Sequence, residues 1–283
     1  MSTIKRALAE AQNQLSSLAD ISAKLESEIL LAYVIQKPRS YLYTWPELAL
    51  ESHQLTQFQS LIERRSFGEP VAYITGQREF WGLPLKVSPA TLIPRPETER
   101  LVEIALQHIP ENEPWQIADL GTGRGALALA IASERPRCQV IATDISGDAL
   151  RIAEQNRDNL QLGKVRFVQG RWFEPLSDIR FNLVVSNPPY VAEKDPHLLE
   201  GDLRFEPQQA LSSGPDGLDA IREILGTAKT HIKPGAWLIL EHGYDQGNGV
   251  IALFEQHGFD HIICYPDYAE RERATAGQMI TDH

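Results

Sequence analysis

From residue 115 onward, short apolar runs alternate with segments of helical apolar period, and this alternation is the strongest constraint on the fold. The pattern predicts strands at 116–120, 139–143, 165–169, 181–185 and 236–241, with helices at 125–134, 147–160 and 217–232 between them. A last pair of runs, 259–265 and 277–281, completes a sheet of seven strands. Strands joined through helices pair in parallel, and the helices cover both faces. The expected fold is therefore α/β and Rossmann-like. Ligands in such sheets bind beyond the carboxyl ends of the strands, so the residues at strand ends carry the functional information.

The chain upstream is different. Ile4, Leu8, Ala11, Leu15 and Leu18 recur at helical spacing, as do Leu25, Ile29, Leu30, Tyr33 and Val34. Pro38 and Pro46 punctuate, and His53–Arg65 repeats the pattern with Leu55, Phe58, Leu61 and Ile62 on one face. Val71-Ala72-Tyr73-Ile74 reads as a short β-type run. Arg78–Phe80 and Leu83–Val87 read as a hairpin turning at Trp81-Gly82. Pro94-Arg95-Pro96-Glu97-Thr98-Glu99 then opens a helix, with proline in its first turn and acids at its positive end. The expected organisation is a helical domain over 1–75, a hairpin linker over 76–95 and a sheet domain over 96–283. Nothing in the helical segment is chemical, which leaves it a docking module or a structural cap.

Composition narrows the function classes. No apolar run approaches the ~20 residues that span a bilayer, and the first residues are not of signal type; a cytoplasmic protein is expected. Cys138 and Cys264 stand alone, giving neither a disulfide framework nor a metal cluster. The net charge is −11, with nearly all the acidity beyond residue 75. That disfavours nucleic acid as the direct target, since its binders carry a basic footprint.

The first strand of the sheet ends in Asp119-Leu120-Gly121-Thr122-Gly123-Arg124-Gly125-Ala126. Glycines there permit a tight turn and close approach of backbone to ligand. The second strand ends in Asp144, at the distance past the glycines where a carboxylate grips a ribose. Ser146 is placed to cap the next helix. The loop also fits the dinucleotide pattern, but Asp119, two residues before the first glycine, would repel a pyrophosphate. A sulfonium cofactor such as S-adenosylmethionine has no phosphate to repel.

The fourth strand ends in Asn187-Pro188-Pro189-Tyr190. Two prolines restrict the chain and remove two donors. The Asn187 amide oxygen, the Pro188 carbonyl and the Tyr190 ring together offer two acceptors and a flat face, which suits a planar NH2 group. An amide nitrogen is a poor nucleophile because its lone pair is delocalised. Fixed acceptors stabilise the charge it gains as it is methylated.

With these residues placed, the chain resembles the protein-(glutamine-N5) methyltransferases specific for peptide-chain release factors, the HemK/PrmC family. Arg78-Glu79-Phe80-Trp81-Gly82, Leu92 to Glu99, Asp119 to Gly123, Ser186 to Tyr190 and Gly214 to Asp219 carry the resemblance. The run from Pro94 to Glu99 is the most specific of them. The resemblance implies a seven-stranded class I methyltransferase sheet behind a small N-terminal helical domain. It implies S-adenosylmethionine as cofactor and the Gln of the Gly-Gly-Gln motif of class 1 release factors as substrate. Gly121, Thr122, Gly123, Arg124, Gly125, Asp144, Trp172 and Asn187 would contact the cofactor. Asn187, Pro188, Pro189 and Tyr190 would contact the glutamine, with Asn187, Pro188 and Tyr190 serving the chemistry. Arg124 departs from a small hydroxyl residue usual in the family, and Arg171 from an acid that could accept from the adenine amine. Rival readings are a glutamine methyltransferase acting on a ribosomal protein, an adenine-N6 nucleic-acid methyltransferase, which would need a flipped base, and a non-catalytic binding module.

Overall fold

The computed structural model describes residues 2–18 and 21–281. The chain forms two compact units, Met1–Gln77 with Leu199–Phe205, and Arg78–Leu198 with Glu206–His283.

The first unit is helical: α1 (Ile4–Leu15), α2 (Ala23–Ile35), α3 (Arg39–Thr44), α4 (Ser52–Ser66) and α5 (Val71–Thr75). Thr3 and Ser22 accept from backbone N–H groups in the first turns of α1 and α2, satisfying donors that a helix start leaves open. Ile4, Leu15, Leu30, Leu31, Phe58 and Ile62 pack into one buried cluster. The run 71–74 is helical, not β-type. Pro70 fixes the backbone before the first turn and Gly76, at φ +70°, ends it, so the punctuation outweighs the β-propensity of Val71, Tyr73 and Ile74.

Arg65 is 2% exposed, the largest of the fully buried side chains. Its guanidinium donates to Glu26 Oε2 at 2.7 Å, to the carbonyls of Gly68 and Glu69 at 3.0 and 3.2 Å, and to Asp202 Oδ1 at 3.1 Å. A guanidinium is tolerated inside because its donors are nearly all used.

The second unit opens with a hairpin, β1 (Gln77–Phe80) and β2 (Leu83–Lys86). A 3₁₀ turn at Pro96–Thr98 leads into α6 (Glu99–His108). The main sheet then follows as β3 (Gln116–Leu120), α7 (Ala126–Glu134), β4 (Gln139–Asp144), α8 (Gly147–Asn159), β5 (Arg166–Gln169), β6 (Phe181–Ser186), α9 (Asp219–His231), β7 (Ile232–Glu241), α10 (Gly247–Gln256), β8 (Phe259–Pro266) and β9 (Glu272–Met279). Its strand order is β5-β4-β3-β6-β7-β9-β8, and only β9 runs antiparallel to its neighbours. The seven-stranded sheet stands as expected. The last strand, however, begins at Glu272 rather than 277, β7 begins at Ile232, and α10 fills a stretch where no helix was read. Strand side chains alternate faces. Ile117, Leu183 and Ile239 pack with α6 and α7. Ala118, Val184 and Leu238 pack with α9 and α10 on the other side. Among the described residues, no helix is long and apolar enough to cross a membrane.

Arg65→Ala leaves two carbonyls and two carboxylates short of a donor inside the helical unit. Urea denaturation of the whole chain should show a loss of about 3 kcal/mol, against under about 1 kcal/mol for the exposed neighbour Arg64→Ala. Equal losses would mean that the Arg65 network adds nothing specific.

Candidate active site

The chain reverses its direction of travel across the sheet between β3 and β6, and a cavity of about 440 Å³ opens at the carboxyl ends of β3, β4 and β6. Crevices at such switch points are where open α/β sheets bind ligands, and this volume suits a small molecule.

Asp119 builds its floor. This carboxyl is 1% exposed; its Oδ2 accepts from the Thr122 hydroxyl at 2.5 Å and from Ala128 N–H at 3.1 Å. Ala128 lies in the first turn of α7, whose N-cap, Gly125, has no side chain to offer. Asp119 therefore does the capping from the preceding strand. Its Oδ1 has no hydrogen-bond partner. Burial pushes its pKa up to about 7, with the Thr122 and Ala128 hydrogen bonds opposing and the nearby Asp144 charge adding to the rise. Asp144 takes Gly123 N–H at 2.7 Å on Oδ2 and Ser146 N–H at 2.8 Å on Oδ1. Burial raises its pKa as well, against those two N–H groups. Each of its oxygens keeps a further lone pair. Ser146 caps α8 through Ala149 N–H at 3.2 Å.

Gly121 has φ +69°, and a Cβ there would stand 3.0 Å from the Trp172 ring. The indole Nε1 donates to Glu223 on α9 at 2.8 Å, and Arg171 holds the same carboxylate with two hydrogen bonds of 2.8 Å. Glu223, with Arg171 and Trp172 on its carboxylate, stands at the cavity edge. A further wall is the segment 90–95, tied down by the buried Glu206, which accepts from Ile93 N–H at 2.9 Å and pairs with Arg95. Arg124 is 6% exposed and its charge also acts on Glu206.

At the end of β6, Ser186 donates to the Leu120 carbonyl at 2.6 Å, stitching the two strand ends together. Asn187 Nδ2 donates to Thr98 Oγ1 at 3.1 Å. The Tyr190 hydroxyl donates to Glu241 Oε1 at 3.2 Å, and the Tyr190 carbonyl accepts from Gln246 Nε2 at 2.9 Å. Glu241 ends β7 and is 1% exposed. Burial pushes its pKa up to about 7, against hydrogen bonds from Thr98 and Tyr190 and the charge of Arg273. Burial likewise raises the Tyr190 phenol, and Glu241 adds to it.

Gly121, Thr122, Gly123, Arg124, Asp144, Trp172, Asn187 and Pro189 all line the one cavity. Gly125, Pro188 and Tyr190 are not on its lining. A Cβ on Gly125 would meet Phe167, Leu129 and Ala153 at 3.0 to 3.3 Å, so its want of a side chain serves packing between helices and strand. Pro188 is buried, and the Tyr190 phenol points to Glu241. The sequence reading missed Thr98, Glu206, Glu223 and Glu241 as individual groups. Thr98 lay within the most specific motif, and Glu241 closes a strand just as Asp144 does, which was the available signal. Among the described residues no group of metal-ligating side chains occurs.

The sheet order, the glycine loop after its first strand and the acid after its second define an S-adenosylmethionine-dependent methyltransferase, and residues 100–213 match the family model described as "Methyltransferase small domain". A solved methyltransferase from Pyrococcus furiosus superposes with a TM-score of 0.54 at 17% identity, over 79% of this chain and 98% of that one, and supports the fold alone. Residues 6–76 match the model "PrmC N-terminal domain". Two curated proteins named release factor glutamine methyltransferase are each 49% identical: that of Vibrio cholerae over 99% of this chain and 98% of its own length, and that of Aliivibrio fischeri over 93% and 92%. The chain belongs to the release factor glutamine methyltransferase family, and its methyl donor is S-adenosylmethionine. The cavity fits that donor: it is bordered by a glycine whose Cβ would crowd the Trp172 ring, and by Asp119 with an unpartnered carboxyl oxygen.

The raised Asp119 pKa has a consequence for stability. The folded chain keeps this proton to about pH 7, whereas the unfolded chain releases it near 3.8. Unfolding therefore releases a proton between those values, and stability falls as pH rises through that window. Asp119→Asn keeps an acceptor and does not titrate. Denaturation of both chains should show the wild type losing at least about 1 kcal/mol relative to the variant between pH 5 and 8. A constant difference would place the Asp119 pKa near its ordinary value.

Proposed function

We propose that this chain transfers the methyl group of S-adenosylmethionine to the side-chain amide nitrogen of the Gln in the Gly-Gly-Gln motif of class 1 peptide-chain release factors. The carrying observation is that Asn187, tied back through its Nδ2, borders the same cavity as the glycine loop and Asp144. This work belongs in the cytoplasm, where release factors act, and the net charge of −11 supports a protein rather than a nucleic-acid target.

In this reading Asp144 holds the ribose with its remaining lone pairs. The backbone of Gly121 to Gly123 lets the cofactor approach, and Trp172 and Arg124 border it. S-adenosylmethionine, when bound, supplies a methyl group already activated on a sulfonium. The substrate amide lies against Pro189 and Tyr190. Asn187 Oδ1 and the Pro188 carbonyl accept its two N–H hydrogens. As the nitrogen lone pair turns from its carbonyl toward the methyl carbon, charge builds on those hydrogens, and the two acceptors gain most at that point. They also set the direction of attack. After transfer the surplus proton passes from the nitrogen to solvent water. The helical unit, which carries no candidate catalytic cluster, docks the intact factor.

Methyl transfer from labelled cofactor to purified release factor, with the modified residue located by mass spectrometry, tests the reading. A methyl group on any residue other than that Gln, or on adenine, overturns it. Asn187→Ala should slow single-turnover methylation by about 10²–10³. Asp144→Ala should instead weaken cofactor binding by roughly 1.5–3 kcal/mol, read by calorimetry. Near-normal turnover in the Asn187 variant would move the chemistry elsewhere.

Docking makes a separate expectation. Trp45 and Leu48 are exposed on the helical unit. The double change Trp45→Ser, Leu48→Ser should raise KM for intact factor several-fold, each lost apolar contact being worth about 1 kcal/mol or more, and leave cofactor affinity unchanged. An unaltered KM removes these side chains from docking.

A further inference from the structure

A tetrapeptide with two prolines has few anchors of its own. Neither Pro188 nor Pro189 has an N–H to bond to a neighbour, so the aim of the Pro188 carbonyl depends on how the two ends of Asn187–Tyr190 are fixed. The first end continues β6, where Ser186 donates to the Leu120 carbonyl at 2.6 Å and Asn187 Nδ2 donates to Thr98 Oγ1 at 3.1 Å. The second end has left the sheet. Beyond it the chain runs beside residues 211–214: Val191 N–H donates to the Leu211 carbonyl, Ser213 N–H to the Val191 carbonyl and Glu193 N–H to the Gly214 carbonyl, each at 2.9 Å. This segment leads into Gly214-Pro215-Asp216-Gly217-Leu218-Asp219, a run to which the proposed chemistry gives no task.

The Tyr190 carbonyl is held separately, by Gln246. Gln246 Nε2 donates to it at 2.9 Å and to the Asp216 carbonyl at 3.1 Å. The other end of the same amide, Oε1, accepts from Gly243 N–H at 2.7 Å. Each of these partners has a fixed polarity, because a carbonyl only accepts and a backbone N–H only donates. The amide therefore fits one way round, with both of its N–H groups committed to carbonyls. A tight turn at the N-cap of α10 holds the side chain in place, since Gln246 N–H donates back to the Gly243 carbonyl at 3.0 Å. Gly217 completes the arrangement. A Cβ there would stand 2.2 Å from the Tyr190 oxygen and 2.7 Å from Gln246 Nε2, so only glycine leaves room for the two to meet.

We propose that Gln246 is a positioning residue that, with Gly217, fixes the last peptide plane of the Asn-Pro-Pro-Tyr turn and so keeps the Pro188 carbonyl aimed at the substrate nitrogen. The hydrogen bonds of residues 211–214 hold the chain beyond the turn; the Gln246 bond holds the turn itself. This gives the Gly214–Asp219 run its task, which is to bring the Asp216 carbonyl and a residue without a side chain up behind Tyr190. The inference rests on the reading of that turn as the amide-binding site.

The test uses the full chain. Gln246→Glu keeps the shape and an acceptor for Gly243 but sets a carboxylate oxygen against the two carbonyls; Gln246→Met keeps the length and removes donors and acceptor alike. Both should lower kcat on release factor about 10–100-fold, the cost of a small misplacement of a catalytic group. KM for the factor and calorimetric cofactor affinity should stay within about twofold of wild type. Gly217→Ala, which presses on the same carbonyl and leaves Gln246 in place, should show the same split, and it carries the test where a Gln246 variant does not fold. Undiminished kcat in a folded variant, or a cofactor affinity that falls as far as kcat, overturns the proposal. Amide hydrogen exchange read by NMR gives a second measure that needs no substrate. Gly243 and Val191 N–H should exchange slowly in the wild type, and both should exchange at least about tenfold faster in Gln246→Met. An unprotected Gly243 in the wild type, or an unchanged Val191 in Gln246→Met, overturns the anchoring. A wild type that leaves release factor unmethylated defeats the functional reading instead, while the anchoring is still judged by exchange.

Discussion

The second unit depends on one buried carboxyl group. Asp119 lies next to the end of β3 and faces the open N–H groups of α7, whose N-cap is a glycine. By accepting from Ala128 and Thr122 it joins strand, loop and helix at a single point. The loop between them then relies on the Thr122 side chain and its own backbone, and three of its residues are glycines with positive φ. The cost is a charge taken out of water, and burial moves the pKa accordingly. Asp144 works from the neighbouring strand, taking Gly123 N–H on the outer side of the same loop. The loop is thus held by acids on two adjacent strands.

The same arrangement recurs at the other end of the cavity. β6 and β7 are adjacent and parallel, and their ends carry Asn187 to Tyr190 and Glu241. Here too a buried acid at a strand end accepts from a hydroxyl, that of Tyr190. Placing acids at successive strand ends gives the sheet rigid anchor points around an otherwise loop-built site. The fourth such group, Glu223, comes from a helix and gathers Arg171 and Trp172 into one edge.

Much of this was legible in the sequence because strands end visibly. Leu120, Asp144 and Ser186 are each followed or marked by glycine, acid or Asn-Pro, and the sheet and the location of its cavity follow from them. What failed was local competition and distance. At 71–74 the β-propensity was plain, yet a proline and a glycine six residues apart left room only for a helical turn. Asp119 was read as an acid beside the ligand and does border the cavity, but its second task, taking Ala128 N–H of α7 on Oδ2, was not read. Thr98 meets Asn187 across 89 positions of sequence, and Trp172 meets Glu223 across 51. No periodicity reports contacts of that separation, because they depend on how the sheet brings unrelated ends together.

Arg65 has a consequence for the timing of folding on the ribosome. Its partner Asp202 lies 137 residues further along the chain. At the usual pace of synthesis the helices therefore wait about seven to thirty seconds before that carboxylate exists. During the wait the guanidinium has Glu26 and two carbonyls close by in sequence or within the same helices. The nascent helical unit is accordingly a nearly finished body with one open position, and the chain closes it only after β6 and the Asn-Pro-Pro-Tyr turn have been made.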